Sequence, residues 1–173
     1  MKLEKILKNL DYKLVQGSIE KDISDIIYDS RKVSRDTIFV ALVGYNTDGH
    51  KYIYDAISKG ASCIVVSKDV EVDENITVIK VKNTREALSI ISANYFENPT
   101  DKIVTIGVTG TKGKTTTTFM IKKIMECAGK KIGLMGTNGV FYNDVYIPLD
   151  NTTPESYEVQ KYIRQMVDAK MEY

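Results

Sequence analysis

A chain of 173 residues has room for one ordinary domain, or for one small domain with part of another. Its 43% hydrophobic and 27% charged content is that of a soluble globular protein, and 24 Lys+Arg against 23 Asp+Glu leave a net charge of +1. That balance excludes a global attraction to nucleic acid or anionic membrane, so any phosphate must be bound at a local site.

In chain order, Leu3, Ile6, Leu7 and Leu10 mark one face of an opening helix. Residues 38–42 (IFVAL), 63–66 (CIVV) and 76–81 (ITVIKV) are rich in β-branched side chains and predict strands. Between the first two, residues 52–59 follow helical spacing and stop at Gly60, which tolerates the left-handed backbone that ends helices. A second helix is predicted over 84–96, with Asn83 and Glu86 at capping-box spacing ahead of it. Asn98-Pro99-Thr100 interrupts the pattern and divides the chain into domains 1–97 and 98–173.

Beyond that boundary residues 103–108 (IVTIGV) are almost continuously apolar, as in a strand covered on both faces of a parallel sheet. A Gly/Thr/Lys loop leads into a helix over 115–128 that stops at Gly129, and residues 132–135 supply a second candidate parallel strand. Residues 139–148 form a hairpin pattern turning at Asn143-Asp144. Pro154 opens a last helix on which Val159, Ile163, Met166 and Val167 share a face. Cys63 and Cys127 are far apart, without CxxC spacing; two buried free thiols in a reducing compartment are expected, not a disulfide framework or zinc site. The opening MKLEKILKNL has no signal-peptide core, and no run reaches the roughly 18 apolar residues of a membrane span, so a soluble, cytoplasmic protein without membrane insertion is expected.

The inventory after Pro99 is small. Two candidate parallel strands and a hairpin cannot cover both helices, and no later strand brings the acidic residue that usually holds a metal beside a nucleotide. The chain is therefore expected to be a fragment of a longer protein.

The segment Gly107-Val108-Thr109-Gly110-Thr111-Lys112-Gly113-Lys114-Thr115-Thr116 carries the clearest chemistry. It follows a predicted strand and precedes a helix, the setting of a phosphate loop. Gly110 and Gly113 let successive N–H groups turn toward phosphate oxygens, and the helix N-terminus adds positive potential. Lys114 places a charge at the β/γ-phosphates, and the Thr115 hydroxyl can ligate Mg²⁺. ATP and Mg²⁺ are the ligands expected. The general pattern GxxxxGK[ST] asks for glycine where this chain has Val108, its glycine lying one place earlier.

The form TGTKGKTT resembles the Mur ligases and their relative folylpolyglutamate synthetase. Asp29-Ser30-Arg31-Lys32-Val33, residues 37–42 (TIFVAL), Gly44 and Asp48-Gly49-His50 resemble the uridine-binding domain of MurE and MurF enzymes, which folate-type synthetases lack. Gly136-Thr137 and Asn151-Thr152-Thr153-Pro154 are similar to the MurE pattern in particular. The resemblance implies a fold of class α/β: a small N-terminal uridine-binding α/β domain, then an incomplete P-loop parallel-sheet domain, the Mur-ligase central domain, with the C-terminal amino-acid-binding domain absent.

It also implies an ATP-dependent ligase of peptidoglycan precursor synthesis. Such an enzyme adds meso-diaminopimelate or L-lysine to UDP-N-acetylmuramoyl-L-alanyl-D-glutamate through an acyl phosphate. Carried over by position, Ser30 and the segment Tyr45, Asn46 and Thr47 would contact the uracil-ribose end. Gly110, Thr111, Lys112, Gly113, Lys114, Thr115 and Thr116 would hold ATP, with Lys114 catalytic and Thr115 on the metal. Asn151, Thr152 and Thr153 would hold the muramoyl-peptide side. Lys112 stands where the family commonly has asparagine, and the family's metal-binding glutamate and modified lysine would lie beyond Tyr173. The fragment alone is then expected to be inactive and monomeric.

Several of these residues have simpler structural explanations. Asn151, Thr152 and Thr153 suit carboxylate or diphosphate oxygens, but Thr153 before Pro154 is also an ordinary helix cap. Ser30 reads equally as a turn residue. His50 reads as structural, since no nucleophile or metal spacing accompanies it, and Tyr12, Tyr28, Tyr52 and Tyr54 read as packing residues. A MurF-type ligase adding a dipeptide, or a non-catalytic UDP-sugar-binding protein, are the competing readings.

Overall fold

The computed structural model describes residues 1–44, 47–149 and 154–173. The chain divides into two compact units, Met1–Tyr95 and Phe96–Tyr173.

The first unit is built on a five-stranded sheet. Its strands are β1 (Lys13–Gln16), β2 (Asp25–Ile27), β3 (Thr37–Val40), β4 (Ala61–Val66) and β5 (Thr77–Lys80), in the spatial order β1-β5-β4-β3-β2. β2, β3, β4 and β5 run parallel, and β1 closes one edge antiparallel to β5. All four residues of β3 and five of the six in β4 are buried, as befits central parallel strands with helices on both faces. Three helices supply that cover: α1 (Leu3–Ile6), α2 (Ile53–Ser58) and α3 (Thr84–Tyr95). Ile53 and Ala56 of α2 pack with Phe39, Ile64 and Val78 on one face. Side chains alternate along a strand, so Ile38, Cys63, Val65 and Ile79 present to the other.

The sequence pattern located β3, β4 and β5, and α2 and α3 as well. Gly60 ends α2 with φ +108°, and a Cβ there would come within 2.9 Å of the Arg35 Cα, so the position demands glycine twice over. Asn83 accepts from the N–H groups of Arg85 (3.0 Å) and Glu86 (3.3 Å) and caps α3. β1 and β2 gave no sequence signal, being short, charged edge strands.

The second unit contains α4 (Lys114–Cys127), a three-stranded antiparallel sheet of β6 (Leu134–Gly136), β7 (Gly139–Tyr142) and β8 (Val145–Ile147), and α5 (Ser156–Asp168). The β7–β8 hairpin turns at Asn143, whose φ of 47° is of the kind asparagine tolerates. Val140, Tyr142, Met166 and Met171 form its core.

Three expectations fail here. Residues 103–108 do not form a covered strand; Val104 is 57% and Ile106 51% exposed. A buried parallel strand needs hydrogen-bonded neighbours on both sides. Among the described residues only the Glu172 carbonyl reaches this segment, at the Val104 N–H (3.0 Å). The strand near 132–135 is observed as β6, antiparallel to β7 and not parallel. Cys127 is exposed whereas Cys63 is buried, because no residue of α4 is buried and, among the described residues, nothing covers its C-terminal turn. Burial pushes the Cys63 thiol up to about 12. No helix among the described residues is long and apolar enough to cross a membrane.

Candidate functional site

From Thr109 onward the phosphate loop is exposed, and it leads directly into α4. Gly113 stands at the N-cap of that helix with φ +79°, and an added Cβ there would meet nothing within 4 Å. The position is glycine for its left-handed backbone and leaves open space for a ligand. No side chain caps the helix. Its first N–H groups and positive dipole end are therefore presented outward, the arrangement that binds phosphate oxygens. Gly110, at φ +149°, turns the chain at the other end of the loop. The Lys114 ammonium lies across the loop and donates to the Gly110 carbonyl at 2.6 Å. Thr111, Lys112, Thr115 and Thr116 are exposed, and Thr117 donates its N–H to the Gly113 carbonyl (2.9 Å) as α4 begins.

These residues fit a polyphosphate. They offer backbone donors, the Lys114 ammonium and the Thr115 hydroxyl at an uncapped helix end. They fit a divalent cation only in part. Among the described residues no three His, Cys, Asp or Glu side chains group to hold a metal, so Thr115 would be one ligand and nucleotide oxygens the others.

Ser30 lies in the first unit, at 8% exposure, as the first residue of a 3₁₀ turn (Ser30–Lys32) between β2 and β3. It is thus a turn residue, but its surroundings go beyond a turn. Asp29 caps the turn by accepting from the Arg31 N–H (3.1 Å) and takes both a Nε and a Nη2 bond from Arg31 (2.9 and 2.7 Å). The Arg31 guanidinium holds the Asp29 carboxyl down at about 2. On α2, Lys59 donates to the Ser30 carbonyl (3.1 Å) and to the Asp55 carboxylate (2.8 Å).

Of the segment Tyr45, Asn46 and Thr47, the first two lie outside the described residues. Thr47 is exposed and its carbonyl accepts from the Gly44 N–H (2.9 Å). Asn151, Thr152 and Thr153 also lie outside the described residues, so the helix-cap reading of Thr153 has no geometry to report; α5 itself begins at Ser156 without a side-chain cap.

His50 is committed at both nitrogens. Nε2 accepts from the Ser67 N–H (3.0 Å), which leaves the proton on Nδ1 to be donated to Asp48 (2.6 Å). Lys68 pairs with the same carboxylate and, with His50, holds its pKa well below the usual range. His50 ties the loop after β3 to the end of β4 and is structural, as its sequence context suggested. Tyr52 and Tyr54 are 43% and 68% exposed, so they are not the packing residues expected; Tyr54 instead donates to the Glu71 carbonyl (2.9 Å).

Sequence reasoning missed Asp55 and Lys59. Their spacing of four marks a helical ion pair, but its convergence on Ser30 exists only once the sheet has folded.

Two descriptions of known families match the chain: "Mur ligase family, catalytic domain" over residues 22–96 and "Mur ligase middle domain" over residues 108–173. The chain is 52% identical over 176 residues to a UDP-N-acetylmuramoyl-L-alanyl-D-glutamate--2,6-diaminopimelate ligase of Clostridium tetani, covering 100% of this chain and 36% of that protein. It is 48% identical to the ligase of the same name from Clostridium perfringens, with the same coverage. It spans about a third of the length of these curated relatives.

A solved structure of a 2,6-diaminopimelate ligase of this name superposes with a TM-score of 0.75 at 19% identity, over 99% of this chain and 34% of that one. The MurF ligase of Thermotoga maritima in complex with ADP superposes with a TM-score of 0.53 at 24% identity, over 83% and 30%. Both likenesses concern the fold. With both units matched by family descriptions and relatives matching from end to end of the chain, this protein belongs to the Mur ligase family.

Proposed function

We propose that the chain holds the two phosphorylated ligands of a cytoplasmic, ATP-dependent ligase. The enzyme would join an amino acid to UDP-N-acetylmuramoyl-L-alanyl-D-glutamate in peptidoglycan precursor synthesis. The relatives' shared name favours 2,6-diaminopimelate over L-lysine. The first unit is assigned to the uridine end, through Ser30 and the segment Tyr45, Asn46 and Thr47. The second is assigned to ATP, with Asn151, Thr152 and Thr153 on the muramoyl-peptide side. The observation that carries the reading is the uncapped start of α4, with Gly113 in left-handed backbone and Lys114 bridging the loop.

In the reaction proposed for the full-length protein, a substrate carboxylate oxygen attacks the γ-phosphorus and ADP leaves. The amine then attacks the acyl-phosphate carbonyl, losing a proton and expelling phosphate. Transfer of this kind needs positioning and charge neutralisation above all. The N–H groups of Gly110, Thr111, Lys112, Gly113, Lys114, Thr115 and Thr116 fix the phosphates, and the Lys114 ammonium exchanges the Gly110 carbonyl for β/γ oxygens. A magnesium ion on Thr115 and the nucleotide would offset further negative charge.

The test is calorimetric titration of the chain with ATP in the presence of Mg²⁺. Replacing Lys114→Met should weaken binding by about tenfold or more, the loss of one charge-assisted contact. Wild-type affinity in that variant, or no ATP binding by the wild type, would overturn the reading.

A further inference from the structure

The loop that follows β3 is pinned at its base to the end of the neighbouring strand. β3 and β4 run parallel with Val40 opposite Val65, so the residues after them, 41–52 and 67–68, share the C-terminal edge of the sheet. Open α/β sheets take their ligands at that edge. The two limbs of the loop are drawn together. Val43 and Asp48 form an antiparallel bridge, the Gly44 N–H donates to the Thr47 carbonyl (2.9 Å), and the Gly49 N–H donates to the Leu42 carbonyl (2.8 Å). Asp48 then ties the second limb to β4. One of its oxygens accepts from the His50 N–H (3.0 Å) and from His50 Nδ1 (2.6 Å), and the other pairs with the Lys68 ammonium. His50 in turn accepts the Ser67 N–H at Nε2 (3.0 Å). Both routes from Asp48 end on residues that follow β4, and the exposed Thr47 is its neighbour in the chain. Lys68, then His50, keep the Asp48 carboxyl below the usual range, so it is ionised and accepts from all of these donors.

Resting on the assignment of Thr47 and its segment to the uridine end, we propose that Asp48, His50 and Lys68 are positioning residues, which hold that segment at the C-terminal edge of the sheet where it meets the nucleotide. None of the three has to touch the ligand. A loop already fixed loses little freedom on binding, whereas ordering a loose one lowers affinity. Lys68 separates positioning from folding. It is exposed, and an exposed ion pair contributes little to stability. Its removal therefore leaves the first unit folded while releasing one of the two ties between Asp48 and the end of β4.

The probe is UDP, titrated calorimetrically into the 173-residue chain, with urea denaturation of each variant to set its folded fraction. Lys68→Met should weaken UDP by about threefold, and His50→Ala and Asp48→Ala by about tenfold, after correction for that fraction. Lys68→Arg still pairs with the carboxylate and should stay within about twofold of wild type. Because Lys68 acts through Asp48, the double variant Asp48→Ala with Lys68→Met should bind UDP within about twofold of Asp48→Ala alone. A lysine that gripped the diphosphate itself would weaken UDP equally in both backgrounds, and that result overturns the inference. So does unchanged UDP affinity in any of the three weakened variants, or a loss in Lys68→Arg as large as in Lys68→Met. Each of these leaves the uridine assignment standing. No binding of UDP by wild type overturns the uridine assignment, and this inference with it.

Discussion

The Asp29 carboxylate takes three hydrogen bonds from one neighbour, Arg31, and its pKa falls to about 2. A depressed carboxyl stabilises the folded state above its unfolded pKa, near 3.9, and that contribution disappears as pH falls toward the folded value. Asp29→Asn should therefore cost about 1 kcal/mol at pH 7, since Arg31 is largely exposed and its charge is screened. The difference from wild type should shrink between about pH 4 and about pH 2. Urea denaturation across that range checks it; a constant difference would show that the carboxylate's charge is not what stabilises the turn. How far single residues were legible depends on whether they act locally. Gly110, Gly113 and Lys114 could be read directly, because the backbone and charge requirements of a phosphate loop fall on neighbouring positions. Lys59 could not, because it meets the Ser30 carbonyl across more than twenty residues of chain and only after β3 and α2 are packed together. Thr111 and Thr116, by contrast, take their proposed roles from position alone, with no distinguishing contact.

At the level of elements, the strands that were legible are those whose environment matches their composition. β3, β4 and β5 are rich in β-branched residues and lie inside a parallel sheet covered by helices, so local preference and burial agree. The apolar run 103–108 has the same composition without the partners, and forms no strand, with Val104 and Ile106 exposed. Composition states what a segment needs, and pairing decides whether it becomes a strand. Helix α3 shows the favourable case. Asn83 satisfies two of its first N–H groups, and Ala87, Leu88 and Ile91 are buried one turn and two turns further on. Asn83→Ala should destabilise the first unit by about 1 kcal/mol without shifting the secondary-structure content of its folded state. Denaturation followed by circular dichroism reads both quantities. A loss well above about 2 kcal/mol would mean that Asn83 does more than cap, for the capping range ends there.

The two units differ in how completely they bury themselves. The cluster that holds Phe39, Ile53, Ile64 and Val78 finds its neighbours within Met1–Tyr95. Both faces of its parallel strands are covered, and about 95 residues exceed the size at which a single core becomes marginal. In the second unit α4 buries none of its residues, Met120 and Ile124 stand 60% and 67% exposed, and the groove between residues 103–106 and 132–135 is lined by Ile106, Ile121, Leu134 and Ile163. Apolar surface left in water contributes nothing to folding, whereas ordering each residue still costs about 1–2 kcal/mol of backbone entropy. Stability should accordingly be unequal along the chain. Residues 1–95 expressed alone should denature cooperatively in urea at the midpoint that β3 and β4 show in the 173-residue chain. In the longer chain, amides of residues 104–112 should exchange hydrogen orders of magnitude faster than those of β3 and β4, because among the described residues that segment has no ladder of partners. A non-cooperative transition for residues 1–95 would mean that its sheet depends on the second unit. Slow exchange over 104–112 would mean that the phosphate loop's leading segment is already paired, and that the incompleteness assigned to the second unit is wrong.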